Sequence, residues 1–340
     1  MKKYNVAVVG ATGAVGEEML AVLEELNFPV NNIVPMASAR SAGEKIEFGG
    51  KQVTIVELTP TAFKEHNVQI ALFSAGGDVS GEFAHCAAEA GAIVIDNTSH
   101  FRMDERVPLV VPEVNPQDIE LWKTTGIVAN PNCSTIQMVQ ALMPLHQKYN
   151  IKRVDVSTYQ ATSGAGKLAQ QELINQMQDF FAFKLSESEH KRFVHQIALN
   201  LIPQIDKFDE NGYTKEELKM VNETSKIMHA DIKVSATCVR VPLLRGHSEA
   251  VTIHCENEVD ANEAREVLSK APGIVVIDEP SKSEYPMPAY CVNKNETYVG
   301  RIRNDVYEKN ILHFWVVADN LRVGAATNAV RIALKWIENN

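Results

Sequence analysis

Several features that define common protein classes are missing from this 340-residue sequence. No apolar run is long enough to span a bilayer, and the short run near Met1 ends in a glycine turn, so we predict neither a membrane partner nor a signal peptide. The five cysteines include no Cys-x-x-Cys pair, which predicts no metal site and no disulfide framework, and favours a reducing, cytoplasmic location. A net charge of −10 argues against a nucleic-acid partner.

The first part of the chain alternates predicted strands and helices. Apolar, β-rich runs predict the strands, and helical spacing of apolar residues predicts the helices. In chain order, these elements are a strand at Tyr4–Val9, a helix at Ala14–Leu26, strands at Ile33–Ala37 and Val68–Ser74, a helix at Gly81–Ala90, and strands at Ala92–Asp96 and Gly126–Ala129. The alternation is typical of a doubly wound, mostly parallel sheet with helices on both faces.

After residue 132 the pattern changes to a long helix and then longer insertions between alternating strands. The helix is Ser134–Tyr149, and the strands are Arg153–Gln160, Lys233–Val241, Glu249–Glu256, Gly273–Asp278, Thr297–Arg303 and Ile311–Ala318. We therefore predict an α/β fold with two domains: a doubly wound domain at 1–132, and an α+β domain with a mixed sheet at 133–320. We expect a C-terminal helix, at about 321–340, to pack back on the first domain.

A glycine-rich turn follows the first predicted strand. Gly10, Gly13 and Gly16 open an amphipathic helix, and their spacing, G-x-x-G-x-x-G, differs from the usual G-x-G-x-x-G. Glycine lets the backbone turn tightly and approach a pyrophosphate, and the helix start supplies N–H groups. Ordinary strand–helix turns also carry glycines, but the position of this one favours a dinucleotide site.

The end of the second predicted strand indicates which dinucleotide binds. NAD enzymes usually place Asp or Glu there for the ribose 2′-hydroxyl, and the stretch Met36–Gly43 has no acid. It has Arg40 flanked by Ser38 and Ser41, which suits the 2′-phosphate of NADP, although a solvated arginine is an alternative. The end of a later strand, Ser74–Gly77, is expected to line the cofactor's edge.

Cys133 is the one cysteine with a catalytic context. It follows a strand and an Asn-Pro-Asn turn and precedes a predicted helix, whose N-terminus would lower the thiol pKa and supply N–H groups for an oxyanion. We expect Cys86, Cys238 and Cys255 to be small core residues. A nucleophile also needs a base, and His247 lies at a glycine turn between two predicted strands.

Taken together, these motifs resemble the aspartate-β-semialdehyde dehydrogenase family, particularly the form common in Gram-positive bacteria. The resemblance runs essentially end to end. The segments that carry it are Gly10–Gly16, Ser38–Ser41, Asn130–Thr135, Gln160–Gly166 and Arg240–His247.

The resemblance implies that residues 1–132 form a Rossmann-type NADP domain and residues 133–320 a catalytic and dimerisation domain. It also implies a role for each site residue. Cys133 would be the nucleophile, His247 the acid/base, and Gln160 the residue that orients the intermediate. Arg240 would bind the substrate α-carboxylate and Glu216 its ammonium group, while Arg102 and Lys219 would bind phosphate. The expected cofactor contacts are Gly10, Thr12, Gly13, Ala14, Val15, Gly16, Ser38, Arg40, Ser41, Ser74, Ala75, Gly76, Ser163, Gly164 and Asn320.

The implied reaction is the NADP-dependent, phosphorylating interconversion of L-aspartyl 4-phosphate and L-aspartate 4-semialdehyde through a cysteine thioester. It would serve lysine, diaminopimelate, methionine and threonine biosynthesis in a homodimer or homotetramer. One alternative is N-acetyl-γ-glutamyl-phosphate reductase, which uses the same chemistry on a longer, N-acylated substrate; Glu216 favours the free ammonium of the aspartyl compound. The other alternative is a non-catalytic NADP-binding sensor.

Overall fold

The computed structural model describes residues 2–340 and divides into two compact units. The first unit ends at Asn132 and resumes at Ala325, and the second spans Cys133–Gly324. A Rossmann-like parallel sheet in the first and a mixed sheet in the second confirm the predicted fold class. Among the described residues, no helix has both the length and the apolarity to cross a membrane.

The strands and helices are numbered in chain order. The strands are β1 (Tyr4–Val9), β2 (Val30–Ala37), β3 (Lys45–Phe48), β4 (Lys51–Thr54), β5 (Val56–Glu57), β6 (Ile70–Phe73), β7 (Ile93–Asp96), β8 (Ile127–Ala129), β9 (Ile151–Gln160), β10 (Lys233–Arg240), β11 (His247–Cys255), β12 (Ile274–Val276), β13 (Thr297–Asn304) and β14 (Ile311–Ala318). The α-helices are α1 (Ala14–Glu25), α2 (Ala62–Glu65), α3 (Gly77–Glu89), α4 (Cys133–Tyr149), α5 (Lys167–Phe181), α6 (Lys215–Met228), α7 (Ala261–Ser269), α8 (Pro288–Cys291) and α9 (Thr327–Asn339).

The first unit is built on a parallel six-stranded sheet in the order β5-β2-β1-β6-β7-β8. Strands such as β6 and β7 are buried along their whole length, as expected when helices cover both faces. Helices α1 and α9 pack in the same core, where Met19 and Leu23 meet Val330 and Ile332. The strand order reverses between β1 and β6, and α/β sheets bind ligands at the carboxyl edge of such a reversal.

The second unit is built on a mixed six-stranded sheet in the order β10-β9-β11-β14-β13-β12. The pairs β9–β10 and β12–β13 are parallel, and the other neighbours are antiparallel. A parallel pair needs a long crossover, and residues 161–232 supply it with helices α5 and α6. Helix α4 packs against β9 and β11, which places its N-terminus in the same unit as the ends of those strands.

Candidate active site

The glycine turn after β1 lies directly against the end of β6. Gly10 has a positive φ of 85°, and a Cβ on it would stand 3.0 Å from backbone atoms of Ser74 and Ala75. A Cβ on Gly16 would stand 2.2 Å from the Gly10 carbonyl oxygen, so only glycine lets α1 begin this close to the turn. The cradle is therefore formed at the reversal point of the sheet, where a pyrophosphate would bind.

Two further segments of the first unit end at the same carboxyl edge. Ser74 is anchored by a hydrogen bond from its Oγ to the Val9 carbonyl oxygen (3.0 Å), and Gly76, with a φ of 104°, leads into α3. After β2, the backbone N–H of Ser41 donates to the Ser38 carbonyl oxygen (2.9 Å), and the resulting turn leaves Arg40 exposed. The arginine is thus available to a ligand phosphate.

Arg102 is buried in the first unit and tied to the loops that follow β7 and β8. Its Nε donates to the Asn130 carbonyl oxygen (2.9 Å), and one terminal nitrogen donates to the Asn97 carbonyl oxygen (3.0 Å). The Asn130 amide in turn donates to the Asn97 side chain (2.7 Å) and accepts from Asn328 of α9 (2.7 Å). The guanidinium is therefore held by the backbone carbonyl oxygens of two asparagines, whose side chains are themselves linked by hydrogen bonds.

Cys133 is the first residue of α4, so its thiol lies at the positive end of a 17-residue helix. The thiol is half-buried and unoxidised. A π-helical turn, Arg322–Ala326, packs directly on it, since a Cβ on Gly324 would stand 2.5 Å from the Cys133 Cβ. Arg240 is close enough to interact electrostatically with the thiolate. Both the N-terminus of α4 and the Arg240 guanidinium favour the ionised form of the Cys133 thiol.

Gln160, Arg240 and His247 form one row across three adjacent strands. Gln160 is the last residue of β9, and its register partners are Arg240 on β10 and His247 on β11. All three side chains are buried. Because water screens charges only weakly in such a place, a ligand at this edge of the sheet would have strong electrostatic interactions with them. Glu216 extends the row, because Gln160 Nε2 donates to its Oε1 (3.1 Å), and Lys219 Nζ lies 3.0 Å from its Oε2.

His247 is completely buried and held in one orientation. The backbone N–H of Ala161 donates to its Nδ1 (3.1 Å). Burial, together with the charge of Arg240, lowers the pKa of His247 to about 3. The ring is therefore neutral at pH 7 and carries its proton on Nε2, to which no other described protein atom hydrogen bonds.

Arg240 contacts the loop that follows β9. One terminal nitrogen of Arg240 donates to the Ala161 carbonyl oxygen (2.7 Å), and its guanidinium lies 6.0 Å from the centre of the Phe193 ring. Burial lowers the pKa of Arg240 from its usual high value, while the charge of Glu216 opposes that shift. A Cβ on Gly164 would crowd both Arg240 (3.1 Å) and His247 (3.3 Å), so glycine leaves room there.

The side chains of Asn320 and Ser163 are joined by a hydrogen bond. The carbonyl oxygen of the Asn320 side chain accepts from Ser163 Oγ (2.9 Å) and from the backbone N–H of Gly246 (3.0 Å). These two hydrogen bonds fix the orientation of the Asn320 amide.

The remaining cysteines lack these features. Cys238, Cys255 and Cys291 are buried, and burial raises the pKa of Cys255 to about 12 and that of Cys291 to about 11. The expectation that Cys86 lies in a core is wrong: it is half-buried, because it lies on the outer side of α3. Within residues 2–340 no group of three or more acidic, histidine or cysteine side chains could hold a metal ion.

Some elements of the site were missed by sequence reasoning. They are Thr158, whose hydroxyl contacts Gln160; Ala161, whose backbone contacts His247 and Arg240; and Gly324, which covers Cys133. The spacing of Thr158 and Gln160, two residues apart on a strand, was the available signal, because such residues share a face.

The chain is similar to known proteins along most of its length. Two family models match the chain: "Semialdehyde dehydrogenase, NAD binding domain" at residues 5–122 and "Semialdehyde dehydrogenase, dimerisation domain" at residues 142–323. The aspartate-semialdehyde dehydrogenase of Campylobacter jejuni is 65% identical over 99% of this chain and 98% of its own length. That of Bacillus subtilis is 53% identical over 97% of this chain and 96% of its own.

The chain is also similar to a solved structure. Aspartate semialdehyde dehydrogenase II from Vibrio cholerae, complexed with ASA, has a TM-score of 0.96 and 47% identity, covering 99% of both chains. Fold and site thus define an oxidoreductase that acts on an aldehyde and contains a nicotinamide-dinucleotide domain. Within that class, the chain belongs to the aspartate-semialdehyde dehydrogenase family.

Proposed function

We propose that this protein reduces L-aspartyl 4-phosphate to L-aspartate 4-semialdehyde with NADPH, and catalyses the reverse reaction with phosphate, through a thioester on Cys133. The observation that carries the proposal is the row of Arg240, Gln160 and His247, with Glu216 beside it, in the same unit as a cysteine at a helix N-terminus. The relatives named aspartate-semialdehyde dehydrogenase support it.

Substrate binding uses the charges of the row. Arg240 offers a buried, planar pair of donors suited to the α-carboxylate. Glu216 supplies a negative charge for the α-ammonium group. An N-acylated substrate would lack the positive charge of that ammonium group. Gln160, held by its hydrogen bond to Glu216, orients the acyl carbon.

Covalent chemistry begins at Cys133. In the biosynthetic direction its thiolate attacks the acyl carbon of aspartyl phosphate, a C–S bond forms, and the C–O bond to phosphate breaks. The helix terminus stabilises the thiolate before the attack. Arg102 and Lys219 are the cations proposed to bind the phosphate as it leaves.

His247 acts through Nε2 on the oxygen that becomes negative. When a hydride adds to the thioester carbon, the carbonyl oxygen becomes an alkoxide, and the Nε2–H group donates a hydrogen bond to it. The alkoxide then re-forms the C=O bond and expels the Cys133 thiolate, which releases the semialdehyde and returns the enzyme to its starting state. The proposed role as general acid/base is confined to this nitrogen, because Nδ1 is occupied by the Ala161 N–H.

The cofactor residues fit a nicotinamide dinucleotide, because Gly10 and Gly16 leave a cradle that a Cβ would fill. When bound, the cofactor supplies or accepts the hydride. We propose NADP rather than NAD, with Arg40, Ser38 and Ser41 at the 2′-phosphate, and Asn320, Ser163 and Gly164 near the nicotinamide. We also propose a homodimer or homotetramer assembled through the second unit, working in the cytoplasm, where five free cysteines would remain reduced.

An assay with purified protein tests this function. NADP reduction should require both aspartate semialdehyde and phosphate. N-acetylglutamate semialdehyde should react at least a hundredfold more slowly, because Glu216 would face an amide instead of an ammonium group. Faster turnover of the N-acetylated compound would favour the alternative reductase, and NADP binding without any turnover would favour a sensor.

A further inference from the structure

Thr158 lies behind Gln160 on strand β9 and contacts its side chain. The two residues are separated by one position, so they share a face of the sheet, and both are buried. Thr158 Oγ1 donates a hydrogen bond to Gln160 Oε1 (2.9 Å). Thr158 lies two residues before Gln160, which is the last residue of β9, so it is further from the carboxyl edge of the sheet.

The Gln160 amide is held at both ends. Its carbonyl oxygen accepts from Thr158, and its Nε2 donates to Glu216 Oε1 (3.1 Å). A carboxylate only accepts, so the contact with Glu216 requires the nitrogen on that side. These two contacts fix the orientation of the amide, and with it the direction of the second N–H group on Nε2.

Neighbours of Thr158 favour donation from its hydroxyl toward Gln160. Its register partner on β10 is Cys238, whose thiol lies within hydrogen-bond reach of the hydroxyl. Burial raises the pKa of that thiol well above its usual range, so the sulfur keeps its proton, which it donates to Met220 Sδ (3.7 Å). A protonated sulfur is a weaker acceptor than an amide oxygen, so the Thr158 hydroxyl donates to the Gln160 carbonyl oxygen.

We propose that Thr158 is a positioning residue: its hydroxyl fixes the amide of Gln160 in the orientation that receives the substrate. The inference rests on the role proposed for Gln160. Without the hydroxyl, Gln160 Oε1 would be a buried acceptor without a donor, and the amide would rotate to find another.

Two substitutions separate the hydroxyl from the shape of the side chain. Thr158→Val keeps the branched shape and removes the donor, whereas Thr158→Ser keeps the donor and removes a methyl group. Thr224→Val is the matched control, since Thr224 is equally buried and donates to the Met220 carbonyl oxygen (2.6 Å).

The expected result is a pattern that stability alone cannot produce. Thr158→Val should lower kcat/KM for the semialdehyde about tenfold, the scale of one buried hydrogen bond, and leave the NADP dissociation constant unchanged. Thr158→Ser and Thr224→Val should remain within about twofold of wild type. In a Gln160→Ala background, Thr158→Val should have no further effect, because the two residues act as one unit.

Three results would overturn the inference: Thr158→Val at wild-type activity beside an impaired Gln160→Ala, equal losses in Thr158→Ser and Thr158→Val, or losses that multiply in the double variant. A Gln160→Ala enzyme with full activity is a separate outcome, and it would overturn the role proposed for Gln160 itself.

Discussion

Gln160 and His247 are register partners on the antiparallel strands β9 and β11. The pairing also brings Ala161, directly after Gln160, to the His247 ring, which lies 86 positions further along the chain and accepts a hydrogen bond from the Ala161 backbone N–H. The residue proposed to orient the substrate and the residue proposed to face the reacting oxygen are therefore fixed to each other by the sheet. Small changes in one should be transmitted to the other.

The cofactor preference should depend on Arg40. Because Arg40 is exposed and the stretch Met36–Gly43 contains no acid, Arg40→Ala should weaken NADP binding by about 1.5–3 kcal/mol, the scale of a charge-assisted contact. NAD lacks the 2′-phosphate, so its affinity should hardly change. Titration calorimetry with both dinucleotides measures this, with Arg106→Ala as an exposed-arginine control. Equal losses for NAD and NADP would show that Arg40 does not contact the 2′-phosphate.

Phosphate affinity should depend on Arg102 and Lys219. Replacing either one by Leu should raise the KM for phosphate roughly ten- to a hundredfold, since each would lose a charge-assisted contact. The KM for the semialdehyde should rise less. Lys226→Leu, on the same helix as Lys219, is the control. Unchanged phosphate dependence in both variants would place the phosphate site elsewhere.

His247 should make stability depend on pH. Its pKa is about 3 in the folded protein, against an ordinary value of 6.5. Below pH 6.5 the unfolded chain binds a proton that the folded chain does not, so stability is lost as the pH falls from 6.5 toward 3. The slope is at most about 1.4 kcal/mol per pH unit.

The His247→Asn variant isolates this contribution. At equal protein concentration, urea unfolding at pH 7.5 and pH 5 should show a smaller loss of stability in the variant, by about 2 kcal/mol. If wild type and variant lose the same amount, His247 is protonated in the folded state, and its role as a neutral donor is wrong.

Much of the fold could be predicted because its strands are apolar runs with clear turns between them. The polar hairpin β3–β4 could not, because its exposed strands carry no apolar pattern. The crossover at residues 161–232 was also missed, although α6 begins with a capping box of Thr214 and Glu217 that is readable in the sequence. Its two helices follow from topology, since β9 and β10 are parallel.

The residues of the candidate site also include some that the sequence could predict and others that it could not. Residues in local motifs, such as Gly10 and Cys133, could be found because their chemistry depends on neighbours in the chain. The contacts of Gln160 with Thr158 and Glu216 depend on strand pairing and on where α6 packs, which no local pattern specifies. Gly324 was not singled out, because its importance comes from packing on Cys133 from the far end of the chain.

The central claim is that Cys133 carries the acyl group, and intact-mass spectrometry tests it most directly. Wild-type protein mixed with aspartyl phosphate, without NADPH, should gain one aspartyl group, and peptide mapping should place it on Cys133. Cys133→Ser should fold, bind NADP normally and gain no adduct, and its turnover should fall by several orders of magnitude because a hydroxyl lacks the nucleophilicity of a thiolate. An adduct on Cys86, Cys238, Cys255 or Cys291, or near wild-type turnover in Cys133→Ser, would contradict the account.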